Sequence, residues 1–345
     1  MAAIRAGPNW ESSMAKPCLS FACGLYDRIL PLYTGEVRPA GFDLNIIPFH
    51  GGSGKRAIFD RMAGNLEFDI AEMSSSEYIS TVAAGQRPYV AIPAFPSRVF
   101  RHSMMVVNRN RIRTPKDLEG KRVGVPLYTM TAAVFARGIL QHEYDVDLSK
   151  IRWVQGAVNK DSGGTHGTPS APPLLKPVDL QDNTSGHSLS TLLENGELDA
   201  TLGTVPPKAL GKNPDIVRLF PNYREIEREY YQRTKIFPIM HLIVIRRDVL
   251  EKYPFVASSL YDAMVDSKKR QLEHMENAGS LLYMLPWMAS DLEEIDRVFG
   301  GDPWPYGIEP NRPTLEALVT YLHDQGFIAN RVPLEDLFAP IFERL

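Results

Sequence analysis

Two series of short apolar runs alternating with helical stretches, joined by two similar crossings, constrain this chain more than any other feature. "KPCLSFACG" reads as a strand ending at Gly24, and "FDLNIIPF" as a second with period-two alternation. "EFDIAEM" and "YVAIPAF" complete the set. Between them "LYDRILPLYTGEV", "KRAIFDRMAGN" and "SSSEYISTVAAGQ" read as helices, the last opening on serines that include an N-cap. Residues 17–96 thus predict an α/β layer with a mostly parallel sheet. A second series holds the strand "RVGV", a long helix entered near Thr129 and Thr131, and the strand "IRWVQG". A Gly/Pro/Ser/Thr-rich stretch at 159–187 reads as a surface loop. "SLSTLLENGELDATLGTVPP" and "IVRLF" follow, and after "FPIMHLIVIRRD" the pattern turns helical.

The crossings "FPSRVFRHSMMVVN" and "FPIMHLIVIR" each place Phe-Pro and then a histidine ahead of a strand. The expected architecture is α/β and two-lobed, with "SMMVVN" and "HLIVIR" as paired hinge strands and a ligand cleft between the lobes. Lobe 1 would comprise residues 1–103 and 236–345, and lobe 2 residues 104–235. On that geometry His102 and His241 both stand where the chain enters the cleft.

Composition removes several classes. With 345 residues, 44% hydrophobic and 23% charged, the chain suits two globular domains. A net charge of −3 without a basic block argues against nucleic acid. Cys18 and Cys23 are the only cysteines, and no histidine pair has HxH or HExxH spacing, so no metal site is expected. No apolar run reaches membrane length, and the N-terminus lacks a secretory h-region. The expectation is a cytoplasmic protein with no membrane partner; a homo-oligomer is left open. "HGGSGKRA" fails as a phosphate loop, having Phe49 where glycine is needed and Arg56 where Ser or Thr is needed. His142, His166, His187, His274 and His323 read as solvated, and Cys23 as a small buried residue.

The remaining polar residues suggest proton chemistry on a small anion. Imidazoles at 102 and 241 suit proton donation and removal near neutral pH. Arg98 and Arg101 could form a fork for a carboxylate. Glu72, Ser74 and Ser75 lie at one strand-to-helix turn, and Tyr128, Thr129 and Thr131 at another; helix starts bind anions. A diacid would fit.

Five blocks carry a resemblance: "FDIAEMSSSEYI", "RPYVAIPAFPSRVFRHS", "GKRVGVPLYTMTAAVFARGIL", "RTKIFPIMHLIVIRRDV" and "DPWPYGIEPNRPTLEA". Together they resemble the 4,5-dihydroxyphthalate decarboxylase family, in order, from about residue 18 to 340. The resemblance implies a fold like that of type II periplasmic solute-binding proteins. It also implies loss of one carboxylate from a hydroxylated aromatic acid without oxidation and without an organic cofactor. The ring would be protonated at the carboxyl-bearing carbon before CO2 leaves. His102 or His241 would be the acid, with the other histidine or Glu72 at the phenol. Arg98, Arg101 and the helix starts at Ser74 and Thr131 would hold carboxylates. The competing class is a non-catalytic intracellular binder of small aromatic acids.

Overall fold

The fold was analysed in a computed structural model that describes residues 16–49, 51–161, 173–276, 281 and 283–342, the side chains of 51–55 excepted. The first sheet comprises β1 (Cys18–Gly24), β2 (Asp43–Phe49), β3 (Ile70–Ser74), β4 (Tyr89–Arg98) and β11 (Ile239–Arg246). The second comprises β5 (Met105–Asn108), β6 (Arg122–Val125), β7 (Arg152–Gln155), β8 (Leu180–Asp182), β9 (Ala200–Leu202) and β10 (Ile216–Arg218). Helices α1 (Leu30–Thr34), α2 (Gly51–Asn65) and α3 (Ser75–Ala83) interleave the first series, and α4 (Thr131–Tyr144), α5 (Leu189–Glu194) and α6 (Tyr223–Thr234) the second. The tail carries α7 (Arg247–Lys252), α8 (Val256–Glu276), α9 (Met288–Phe299) and α10 (Arg312–Asp324).

Strand order is β2-β1-β3-β11-β4 in one sheet and β10-β5-β9-β6-β7-β8 in the other. β1, β2 and β3 are mutually parallel, and β11 enters antiparallel between β3 and β4. Each central strand is covered on both faces, so it reads as a nearly unbroken apolar run rather than an alternation. Phe21, Ile70, Ala71, Ile243 and Val244 are fully buried. Burying a large apolar side chain of this kind contributes about 2 kcal/mol. The result is a two-lobed α/β fold. No helix among the described residues is long and apolar enough to cross a membrane.

Several expectations change. "SMMVVN" and "HLIVIR" do not pair: β5 lies between β9 and β10 in the second sheet, whereas β11 lies in the first. The crossing pair is β4 with β11, in register at Ile239↔Arg98 and His241↔Ser97, and extended by Val99 N–H donating to Pro238 O at 3.1 Å. Pro238 therefore lies beside Val99 and His241 beside Ser97, while His102 is carried onward out of the first sheet. The 159–187 stretch contains β8, and residues 162–172, His166 among them, lie outside the described residues. Residues 1–15 and His50 also lie outside them, while from Gly51 onward the phosphate-loop lookalike is helical backbone.

Between the pairs Ile243↔Ile92 and His241↔Ser97, β4 carries extra residues that include Pro93 and Pro96. Proline has no N–H to give a ladder, so this is where the strand bulges. The freed carbonyls are taken up from outside the sheet. Gly307 N–H donates to Pro93 O at 2.8 Å, Trp304 Nε1–H to Phe95 O at 2.7 Å, and Arg28 Nε–H to Pro96 O at 2.7 Å. The tail thus braces the strand that faces His241.

The tail also holds the lobes together. α10 packs on both α3 and α4, and Gly138 of α4 leaves room for the Tyr321 ring. A Cβ at 138 would fall inside that ring. A glycine-to-alanine change inside a helix ordinarily stabilises by about 1 kcal/mol. Gly138→Ala should instead destabilise by about 1–3 kcal/mol through overpacking. Urea unfolding of the two proteins checks the sign.

Candidate active site

Glu72 points from the middle of the first sheet and is fully buried. Four donors converge on its carboxylate. Gly24 N–H reaches Oε2 at 2.7 Å and Cys23 Sγ approaches the same oxygen at 3.5 Å. Tyr26 O–H donates to Oε1 at 2.6 Å, and His241 Nδ1 lies 2.5 Å from that oxygen. These donors come together because β3 sits between β1 and β11. The end of β1 supplies Cys23 and Gly24, its following turn supplies Tyr26, and β11 supplies the histidine across from Ser74.

Burial alone would raise the Glu72 pKa. The His241 charge and hydrogen bond, with those of Tyr26 and Gly24, outweigh it and hold the carboxyl at about 2. Burial first, and then the adjacent carboxylate, push the Tyr26 phenol far above its usual range, so it stays a donor. With Nδ1 committed to Glu72, the outward nitrogen of His241 is Nε2, which makes no hydrogen bond to a described residue. The side chain is 17% exposed and rests edge-on against Phe59, with ring centroids 4.9 Å apart. The pair can therefore present one proton-transferring nitrogen to a ligand.

Around it the lobes meet through hydroxyls. Ser74 Oγ lies 3.0 Å from Thr131 Oγ1, which also accepts from Ser76 N–H at 3.0 Å. Ser76 Oγ donates to Thr129 O at 2.9 Å. Ser74 is the N-cap of α3 but makes no side-chain cap bond, because its hydroxyl is turned to the other lobe. The buried hydroxyls of Ser75 and Thr129 have no hydrogen-bond partner among the described residues. These helix starts follow the carboxyl ends of β3 and β6, where open α/β sheets receive ligands.

The other sequence candidates go elsewhere. His102 is buried, with Phe220 and Tyr230 each 5.3 Å away; neither ring nitrogen is hydrogen-bonded to a described residue, though Glu227 Oε1 lies 3.8 Å from Nδ1. Burial lowers its pKa to about 4, so it is neutral at pH 7 and unsuited to the role of acid. The chain passes out of the first sheet before reaching it, which the shared Phe-Pro pattern concealed. Arg98 is turned to the tail, donating to Pro305 O at 2.8 Å and to Asn311 Oδ1. It is therefore a brace rather than part of a carboxylate fork. Arg101 differs: it is 3% exposed, its guanidinium makes no hydrogen bond to a described residue, and Nε is sealed. Burial lowers its pKa to about 10, with Glu227 pulling the other way. Tyr128 is packed between Trp153 and Phe327, with Arg137 at 3.7 Å over its ring. Glu72, enclosed by its donors, cannot also reach a phenol. Sequence reading missed Tyr26, whose only signal is its place two residues after a strand end. No group of three or more metal-ligating side chains occurs among the described residues.

No family model matches the chain. Among curated proteins it is 35% identical over 329 residues to a 4,5-dihydroxyphthalate decarboxylase of Comamonas testosteroni, covering 95% of this chain and 98% of that one. It is 34% identical over 223 residues to a protein of the same description from Pseudomonas putida, covering 64% and 83%. The fold is like that of the periplasmic aliphatic sulphonate binding protein SsuA of Escherichia coli, with a TM-score of 0.51, 10% identity and coverage of 94% and 98%. A periplasmic sulfonate-binding protein of Methylobacillus flagellatus KT gives 0.50 at 12% identity, covering 94% and 91%.

The buried carboxylate makes stability pH-dependent in a definite direction. Its folded pKa lies below the unfolded value of about 4.3, so its contribution is fully present above about pH 5. That contribution is lost as pH falls toward about 2. Glu72→Gln should lower stability at pH 7 and flatten the acid limb of a melting-temperature profile between about pH 5 and 2. An unchanged acid limb would contradict the ionised, paired state. By sequence, the chain belongs to the 4,5-dihydroxyphthalate decarboxylase family, a family of carboxy-lyases.

Proposed function

We propose that this protein removes one carboxylate from a dihydroxylated phthalate by ring protonation, with His241 as the acid. The observation that carries the reading is the 2.5 Å Glu72–His241 contact, which fixes Nδ1 and leaves Nε2 facing outward. Family membership supplies the substrate class. In 4,5-dihydroxyphthalate each carboxylate has a hydroxyl para to it. That hydroxyl's lone pair enters the ring as Nε2–H is delivered to the carboxyl-bearing carbon. The phenolic proton passes to solvent, giving a dienone. The C–C bond then breaks, its electron pair restores aromaticity and places the negative charge on the former carbonyl oxygen, and neutral CO2 departs. That phenolate regains a proton from solvent to give 3,4-dihydroxybenzoate. His241 regains its proton from solvent.

Two carboxylates must be treated differently. A strong grip on the departing one stabilises the ground state and opposes loss of CO2, so the firm cation belongs on the retained group. Arg101 suits this, being buried without a hydrogen-bond partner among the described residues. The unpartnered Ser75 and Thr129 hydroxyls, at helix starts, suit the ring hydroxyls or the second carboxylate. Glu72 and Tyr26 hold the acid and do not touch substrate.

The test is CO2 release and 3,4-dihydroxybenzoate formation from 4,5-dihydroxyphthalate. His241→Asn should cost about 10²–10⁴ in kcat. Arg101→Met should act mainly on KM, and His102→Asn should leave kcat within a few-fold of wild type. Saturable binding without CO2, retained in His241→Asn, would instead indicate a binding protein.

A further inference from the structure

The tail segment "DPWPYGIEPN" has no part in the chemistry, yet it reaches the back of the acid pair through a single arginine. Arg28 Cζ lies 4.4 Å from the Tyr26 ring centroid and 4.2 Å from that of Trp304, so its guanidinium is clamped between two aromatic faces. Nε donates to Pro96 O, next to the Ser97 that pairs with His241, and Nη1 donates to Asp27 at 2.7 Å. Beyond Arg28 and Trp304 lies a cavity of about 370 Å³ with mainly apolar walls, to which Asp27, Lys268 and Gln271 also contribute. On the near side, Tyr26 O–H donates to the same Glu72 oxygen that holds His241.

We propose that Arg28, held by Trp304, is a positioning residue that sets the acidity of His241 through the Tyr26 hydroxyl. The inference rests on His241 being the acid. A cation over a phenol ring withdraws π density and makes its O–H a stronger donor. Two donors sharing one carboxylate oxygen compete for its charge. While Tyr26 donates strongly, less of that charge falls on His241, which gives up its proton more readily.

Other titratable or charged groups lie near the pair among the described residues. Cys23 faces Glu72, and Asp27 partly offsets Arg28. From α2, Arg56 lies over Phe59 but is bound by Asp60 and Glu77. From the tail, the buried Tyr306 is within electrostatic reach of Arg28 and Cys23. None of these touches Oε1, where the competition occurs.

The experiment has two readouts. One is the pH profile of kcat for 4,5-dihydroxyphthalate, and the other is the proton-NMR signal of His241 Nδ1–H, which needs no turnover. Arg28→Met should move the falling alkaline limb of kcat up by about half a pH unit, a threefold change in acidity. It should also shift the Nδ1–H signal downfield, with KM nearly constant. Trp304→Leu, which frees the outer face of the guanidinium, should do the same more weakly if the first variant folds poorly. In a Tyr26→Phe background, Arg28→Met should add nothing. Additive effects in the double variant would overturn the route through the phenol. A lowered melting temperature with limb and signal unmoved would overturn the proposal altogether. Absence of decarboxylation with the NMR shifts intact would instead refute the functional reading and keep the coupling.

Discussion

A carboxylate with no exposure inside a sheet is the constraint around which the first lobe is arranged. An unpaired buried charge would be neutralised or would cost several kcal/mol. Glu72 is tolerated because donors from the end of β1, the turn after it and β11 meet at its oxygens. This ties topology to chemistry. Had β11 paired at a sheet edge, residue 241 would not stand beside residue 72, and the carboxylate would lack its cation. The return strand is inserted between β3 and β4, and that insertion brings His241 to Glu72.

The same logic explains the prolines of β4. Pro93 and Pro96 cannot complete a ladder, so the strand bulges and its carbonyls need donors from elsewhere. The tail supplies Gly307 N–H and Trp304 Nε1–H, and the turn after β1 supplies Arg28. Arg98 extends the brace by binding Pro305 O and Asn311. A tail remote in sequence thereby fixes the backbone opposite His241, and α10 carries the same packing to the second lobe.

Much of this was legible in the residues. The strand and helix periods gave two α/β series and the two hydroxyl-rich helix starts, whereas Glu72 and His241 lie inside β3 and β11 rather than at their ends. What failed was pairing. "SMMVVN" and "HLIVIR" look alike because any buried strand is apolar, and composition does not say which sheet a strand joins. His102 inherited its expected role from that error. α6 went unread because its charged residues, such as those of "REIERE", leave only Tyr230 buried. Tyr26 was missed because a turn residue gains its meaning from partners remote in the chain.

The charge balance of the pair suits the proposed chemistry. In the proposed reaction Glu72 is ionised and His241 carries the proton to be delivered, so the pair is neutral overall. A doubly anionic substrate can then approach without repulsion from the buried carboxylate. Delivery of the proton to the ring leaves the pair with a net negative charge beside the substrate's carboxylates. Of these, only the one on the protonated carbon can shed its charge, by leaving as neutral CO2. The interaction that made the acid available thus becomes repulsive at the step where charge must leave the carboxylate. In the proposed reaction a buried carboxylate that never touches the substrate acts on it through charge alone, and it does so only while its other oxygen contacts keep it ionised.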